Sequence, residues 1–304
     1  MDLRRNKMAK KNHIKNNKNI FTWIIVVLLL FYSFTMIIPL VWGFIQTFKD
    51  GMIEWEFNKF GFPEEWIFEN YVTAVTTALR IYVQDGTGGH FVYTPEMIFN
   101  SLLLSTSWTL VSLISHMLVA YACARFKFKL NGVIYGTVLI TMLLPIVGAL
   151  PSFIRVMKLL RLYDTYIGTL CMKAGFTGTY FLVFYAAFKS VDMAYTEAAR
   201  IDGANNFQVM FQIIFPLVFS TTMGVCILSF IAAWNDYYTQ MIYLPSMPTI
   251  AYGLFDSQSY GDSAASSVTT VRIAVCFVAC IPTFLMFMAF RKKIMGNIVI
   301  GGVK

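Results

Sequence analysis

Six stretches of this sequence, at about 20–48, 98–124, 132–157, 166–188, 211–234 and 271–290, are apolar over lengths that suit a bilayer crossing. A hydrocarbon core takes about 20 apolar residues per helical crossing, so the pattern predicts six transmembrane helices in one polytopic bundle. Lipid offers the backbone no hydrogen bonds, which leaves helices and closed barrels as spanning structures. Barrel strands alternate polar and apolar residues, whereas the run from Ile24 to Phe31 shows no alternation, so an all-α membrane protein is expected. Composition agrees, with 57% hydrophobic and 13% charged residues, about half the charge of a soluble domain. Pro145, Pro151, Pro216 and Pro282 are expected to kink spans or mark their ends. The first stretch is too long for the apolar region of a signal peptide and lacks a small-residue cleavage pattern, so it reads as a retained span.

The net charge of +8 is concentrated beside the apolar stretches, as in proteins oriented by a lipid bilayer, and does not point to nucleic acid. Of the 24 Lys and Arg, 16 lie in the N-terminal tail, the second-to-third and fourth-to-fifth connections and the C-terminal tail. The excess of positive charge on that side predicts that both termini are cytoplasmic. The expected organisation is a basic cytoplasmic tail at 1–19, a six-helix transmembrane domain at 20–290 and a cytoplasmic C-terminal tail at 291–304. Arg155, Lys158 and Arg161 fall on the other side; interleaved with Phe153, Ile154, Met157 and Leu160, they predict a short amphipathic helix in the outer interface. The outer connection at 49–96 carries eight acidic residues and a glycine-rich tip at 85–89.

Catalytic motifs are missing. There is no phosphate-binding G-x-x-x-x-G-K-[ST], no HExxH and no GxSxG. His13, His90 and His116 lie far apart in sequence, His116 reading as a packing residue, and the five cysteines form no CxxC pair and read as small apolar residues. The missing catalytic clusters argue against a membrane enzyme or scaffold, and if the chain does work across the membrane, its energy comes from a partner chain or an ion gradient. The span interiors hold no Asp or Glu, and Lys173 is their clear charge. An ion-coupled secondary transporter of a small solute, which commonly buries acidic groups, is the alternative reading.

The connection at 190–216 reads SVDMAYTEAARIDGANNFQVMFQIIFP. Asp192 suits the N-cap of a short helix, Gly203 its left-handed stop, and Asn205 or Asn206 the cap of the next helix. Ala194, Ala198 and Ala199 give the first helix a thin face, with Glu197, Arg200 and Asp202 charged around it. A helix lying on lipid would bury bulky apolar residues; this one suits a protein cleft.

This segment resembles the EAA loop of ABC importer permeases, through Glu197, Ala198, Ala199, Gly203, Ile213 and Pro216. Asp202–Gly203–Ala204 is similar to the carbohydrate branch, the maltose and glycerol-phosphate permeases. Phe62–Pro63, Trp66, Glu69–Asn70–Tyr71, Asn100–Ser101–Leu102, Arg125–Phe126, Asp164–Thr165 and Trp234–Asn235–Asp236 fit the same branch. Two features depart from it: Val191–Asp192 stand where the family has a proline, and Ile81 to Pro95 looks like an insertion.

The resemblance implies the type I ABC importer permease fold in a bacterial inner or plasma membrane. It also implies ATP-driven, binding-protein-dependent import of an oligosaccharide or other carbohydrate. Its partners would be a second, non-identical permease chain, two cytoplasmic ABC ATPase subunits and an extracytoplasmic solute-binding protein. No cofactor is expected on this chain, ATP and Mg being held by the ATPase. Glu197, Ala198, Ala199, Arg200, Asp202 and Gly203, in a coupling loop at 190–210, would engage that ATPase. Lys173, Tyr180, Trp234, Asn235 and Asp236 are the candidate residues of the substrate pathway. No metal site is expected. The glycine-rich end from Gly296 either reaches the ATPase or acts as a basic anchor with Arg291, Lys292 and Lys293.

Overall fold

A computed structural model describes residues 20–85, 88–144, 148–259 and 268–295. The basic tail, the hairpin tip at 86–87, Pro145, the serine-rich outer stretch at 260–267 and the end from Gly296 lie outside the described residues.

The first apolar stretch forms α1 (Ile20–Gln46), whose side chains from 22 to 41 are all exposed. A helix that is apolar all round and uncovered by its own chain suits lipid or a partner subunit. Its far end is held: the Phe44 ring meets Phe277 edge-on at 5.5 Å, and Phe48 sits among Trp66, Phe68 and Tyr71. Two short helices follow, α2 (Glu54–Phe57) and α3 (Glu69–Thr76). Asn70, at the start of α3, donates to the carbonyls of Thr47 and Lys49 at 2.8 and 2.9 Å and so ties the outer segment to the end of α1.

The stretch read as an insertion is a β-hairpin, which corrects the all-α expectation. Strands β1 (Arg80–Asp85) and β2 (Gly88–Tyr93) pair antiparallel, with Ile81 opposite Val92 and Tyr82 opposite Phe91. Ile81, Val83 and Val92 face the core while Tyr82, Gln84 and Phe91 face out, the alternation that a half-buried hairpin needs.

The long helix α4 (Thr94–Arg125) runs through the middle of the bundle. Next come α5 (Asn131–Leu143), α6 (Ala149–Leu159), α7 (Tyr166–Lys173), α8 (Thr179–Ser190) and α9 (Met193–Ile201). The single turn α10 (Asn206–Gln208) leads through a wide π-helical turn (Val209–Ile214) into α11 (Phe215–Trp234). The π turn directly precedes Pro216, whose ring and missing N–H disfavour a regular helical turn there. The chain ends with α12 (Tyr238–Tyr243), α13 (Ile250–Ser259) and α14 (Thr269–Met295).

Among the described residues, four helices are long and apolar enough to cross a membrane: α1, α4, the continuous 206–234 and α14. The expected third and fourth spans are each divided. The stretch 132–157 is split between α5 and α6, and 166–188 between α7 and α8. Gly148 at φ 81° and Gly178 at φ 134° open α6 and α8 from conformations that favour glycine. Because the residues around both breaks stay apolar, hydropathy runs straight through them. The amphipathic helix is observed as α6, which carries Arg155 and Lys158; Arg161 lies just beyond it at φ 57°.

The main core lies between α4, α8 and α11, where Phe181, Phe184 and Phe188 meet Tyr121, Cys123 and Ile214. A second core joins Leu79, Val83 and Met97 to Trp234, Ile250 and Ala274, so the hairpin is rooted in the bundle. Polar side chains fix the connections. Asn100 donates to the Pro248 carbonyl at 3.1 Å, and Ser101 accepts from the Ile250 amide at 2.9 Å. Asp164 accepts from the Ser246 amide at 3.0 Å, and Thr165 caps α7 through the Gly168 amide at 3.1 Å. Gly132 and Gly136, spaced for close helix packing, have nothing among the described residues within 4 Å of where a Cβ would stand, so no described helix packs there.

Candidate functional site

Two regions stand out, one at each end of α11, whose 20 residues separate them by about 30 Å.

At the first end, α9 is defined by local chemistry. The Asp192 carboxylate accepts from the Ala194 amide at 3.0 Å, as an N-cap does. Gly203, at φ 85°, ends the helix, and its amide donates to the Arg200 carbonyl at 3.1 Å. Asn205 and Gln208 then form a reciprocal capping box, each side chain accepting from the other's backbone amide at 2.9 and 2.8 Å. Arg200 closes the corner by donating to the Asn206 side-chain oxygen at 3.2 Å.

The faces of α9 differ from the expected thin face in one place. Ala194, Glu197, Ala198, Arg200 and Asp202 are exposed, along with Met193, Tyr195 and Ile201. Ala199 instead points inward, 5% exposed, in the same core as Val209 and Met210. Its small side chain allows α9 to lie close to its own chain and does not belong to the open face. Beneath α9, Arg125 is buried at the end of α4 and donates to the Met193 sulfur at 2.9 Å. Its Nε and Nη2, and the buried Thr196 hydroxyl, have no hydrogen-bond partner among the described residues.

At the other end, Lys173 donates to the Asp236 carboxylate at 2.9 Å, joining the end of α7 to the α11–α12 connection. The same carboxylate accepts from the Thr239 hydroxyl at 2.6 Å and the Thr239 amide at 2.9 Å. The ammonium stands 4.6 Å from the centre of the Trp108 ring and 3.4 Å from the Thr239 hydroxyl. Burial alone would push the Asp236 carboxyl up, but Lys173 and the Thr239 hydrogen bonds hold it below its ordinary value.

Two adjoining cavities, of about 630 and 190 Å³, share Ser112, Lys173 and Tyr180 in their walls. The larger is also lined by His116 and Thr179, the smaller by Trp108, Ser229 and Asp236. His116, expected as a packing residue, thus also lines a cavity; its Nδ1 lies 2.6 Å from the Ser112 carbonyl and its ring meets Tyr180 at 5.8 Å. Of the five pathway candidates, Lys173, Tyr180 and Asp236 come together here. Trp234 does not: it is buried against α14, its indole donating to the Ala279 carbonyl at 3.0 Å. Asn235 caps the end of α11, donating to the Ile231 carbonyl at 2.8 Å, and lines neither cavity. Sequence reasoning missed Trp108, Ser112, Ser229 and Thr239; only the i, i+4 spacing of Trp108, Ser112 and His116 on one helix face hinted at a polar stripe.

A polytopic bundle with a cavity holding a Lys–Asp pair near one end and an exposed, doubly capped helix at the other suits a membrane transport subunit. The chain belongs to the family of binding-protein-dependent transport system inner membrane components, whose model matches residues 116–295, more than half its length. It is accordingly a multi-pass inner-membrane protein. It is 26% identical over 276 residues to the diacetylchitobiose uptake system permease protein NgcG of Streptomyces coelicolor, covering 89% of this chain and 85% of that one. It is 24% identical to the melibiose/raffinose/stachyose import permease protein MelC of Bacillus subtilis, over 81% of this chain and 84% of that one. The fold matches a chain in the crystal structure of a bacterial ABC transporter involved in the import of the acidic polysaccharide alginate. That match has a TM-score of 0.73 at 22% identity, covering 91% of this chain and 97% of that one. The fold is thus that of a type I ABC importer permease.

Proposed function

We propose that this chain is the membrane-spanning subunit of an ATP-driven, binding-protein-dependent importer of carbohydrate. Its partners are a second, non-identical permease chain, two cytoplasmic ABC ATPase subunits and an extracytoplasmic binding protein. ATP and Mg are held by the ATPase and not by this chain. The names of the NgcG and MelC relatives, both for oligosaccharides, support the cargo class, and a structural relative solved with a pentasaccharide-bound periplasmic protein supports the binding-protein partner.

The observation that carries the reading is α9: a short helix fixed at both ends by its own caps, showing small, charged and apolar side chains outward. Glu197 makes polar contact with the ATPase cleft, Ala198 permits close approach, and Arg200, Asp202 and Gly203 hold the corner. Closure of the ATPase dimer draws α9 inward, and the packed Ala199–Val209–Met210 core passes that motion to α11 as a rigid body. With both termini cytoplasmic, α9 lies at the cytoplasmic end and the Lys173–Asp236 cavity lies on the solute path. Co-purification with the ATPase tests this. It is expected to be lost in Gly203→Pro, which can adopt neither φ 85° nor the amide hydrogen bond, and in Glu197→Lys. Ion-driven uptake by this chain alone in liposomes would overturn the reading.

A further inference from the structure

We infer that the cavity beside Lys173 accepts neutral, hydroxyl-rich sugar rings and rejects acidic sugars, the Lys173–Asp236 pair being the determinant. This rests on the reading that the cavity belongs to the solute path, and it narrows the cargo within the carbohydrate class.

A carboxylate or phosphate leaving water for a partly buried recess needs an uncompensated cation. Lys173 is the one Lys or Arg lining either cavity among the described residues, and its ammonium is already engaged by its own chain. It donates to Asp236 at 2.9 Å, approaches Thr239 at 3.4 Å and lies 4.6 Å from the centre of the Trp108 ring. Asp236 is likewise saturated from one side, by Lys173 and by the Thr239 hydroxyl and amide. The pair is therefore net neutral, and an entering anion meets the Asp236 carboxylate beside the ammonium. His116, in the wall of the larger cavity, is likewise engaged by its own helix, its Nδ1 lying 2.6 Å from the Ser112 carbonyl. Beside that pair, the cavity walls carry the hydroxyl-bearing Ser112, Thr177, Thr179, Ser229 and Tyr180 and the aromatic Trp108. Those groups suit neutral hydroxyls and C–H surfaces.

The test is equilibrium binding of raffinose and of trigalacturonate, equal in ring number, to the complete importer in nanodiscs without its binding protein. The wild type is expected to prefer raffinose. Asp236→Asn leaves the ammonium uncompensated and is expected to raise trigalacturonate affinity about tenfold, the scale of one charge-assisted hydrogen bond. The double variant Lys173→Met with Asp236→Asn is expected to lose that gain. Wild-type binding of trigalacturonate as tight as that of raffinose, binding of neither probe, or no gain in Asp236→Asn would overturn the inference. If Asp236→Asn does not assemble, the wild-type comparison decides. An importer that co-purifies with its ATPase yet fails this test sinks the inference alone and leaves the proposed function standing.

Discussion

Individual residues carry this account where their environment is unusual. The Thr196 hydroxyl is buried on the inner face of α9 without a partner among the described residues, so replacing it by an isosteric apolar group removes a desolvation cost. Thr196→Val is expected to leave the protein as stable or more stable by about 1 kcal/mol; a clearly lower thermal midpoint in detergent would show that the hydroxyl is satisfied. Asp236 sets the pH behaviour of the cavity end. Its carboxyl is held below the ordinary value, so the stabilisation by Lys173 and Thr239 is complete above the unfolded value of about 3.9. It is lost as pH falls through the lower folded value. Thermal stability should therefore show no step from this pair between about pH 5 and 8, and Asp236→Asn should be destabilising across that range. Asp192, Gly203 and Asn205 were legible in the sequence because capping is local chemistry, decided within four residues. Ala199 was not, because which side of α9 faces the core depends on where Val209 and Met210 lie.

Elements follow the same division. The hairpin's alternation of Ile81, Val83 and Val92 was present in the sequence, but two short strands gain stability only by packing on a body. That body, Leu79, Met97 and Ile250, is assembled by the fold. Lys173 looked like an isolated charge inside a span because the break after α7 is invisible to hydropathy; with the helix ending there, it reaches Asp236, 63 residues away. At Gly168, the third residue of α7, an added Cβ would stand 1.9 Å from the Leu162 carbonyl oxygen, a backbone atom, so the first turn keeps this position only with glycine. Gly168→Ala is expected to displace α7 and weaken the Lys173–Asp236 pair, read as a lower thermal midpoint and a lost pH step below about pH 4. For α9, Asp192→Ala should cost about 1 kcal/mol of helix stability, seen as faster hydrogen exchange at the Ala194 amide with exchange in α11 unchanged.

On the scale of the whole molecule, the apolar stretches announced a polytopic bundle and the loop around Glu197 announced its class. The number of continuous spans and the composition of the cavity came only with the structure. Coupling is the central proposal: α9, held to its own chain through Ala199, would be gripped from outside through its exposed face. Single cysteines at positions 198 and 199 separate those two faces, in a variant whose five native cysteines are replaced by serine and which is assembled with its partners. The account predicts that a short bifunctional crosslinker joins position 198 to the ATPase subunit, while position 199 gives no intersubunit product. An ATPase crosslink from 199 but not from 198, or from neither, would contradict it.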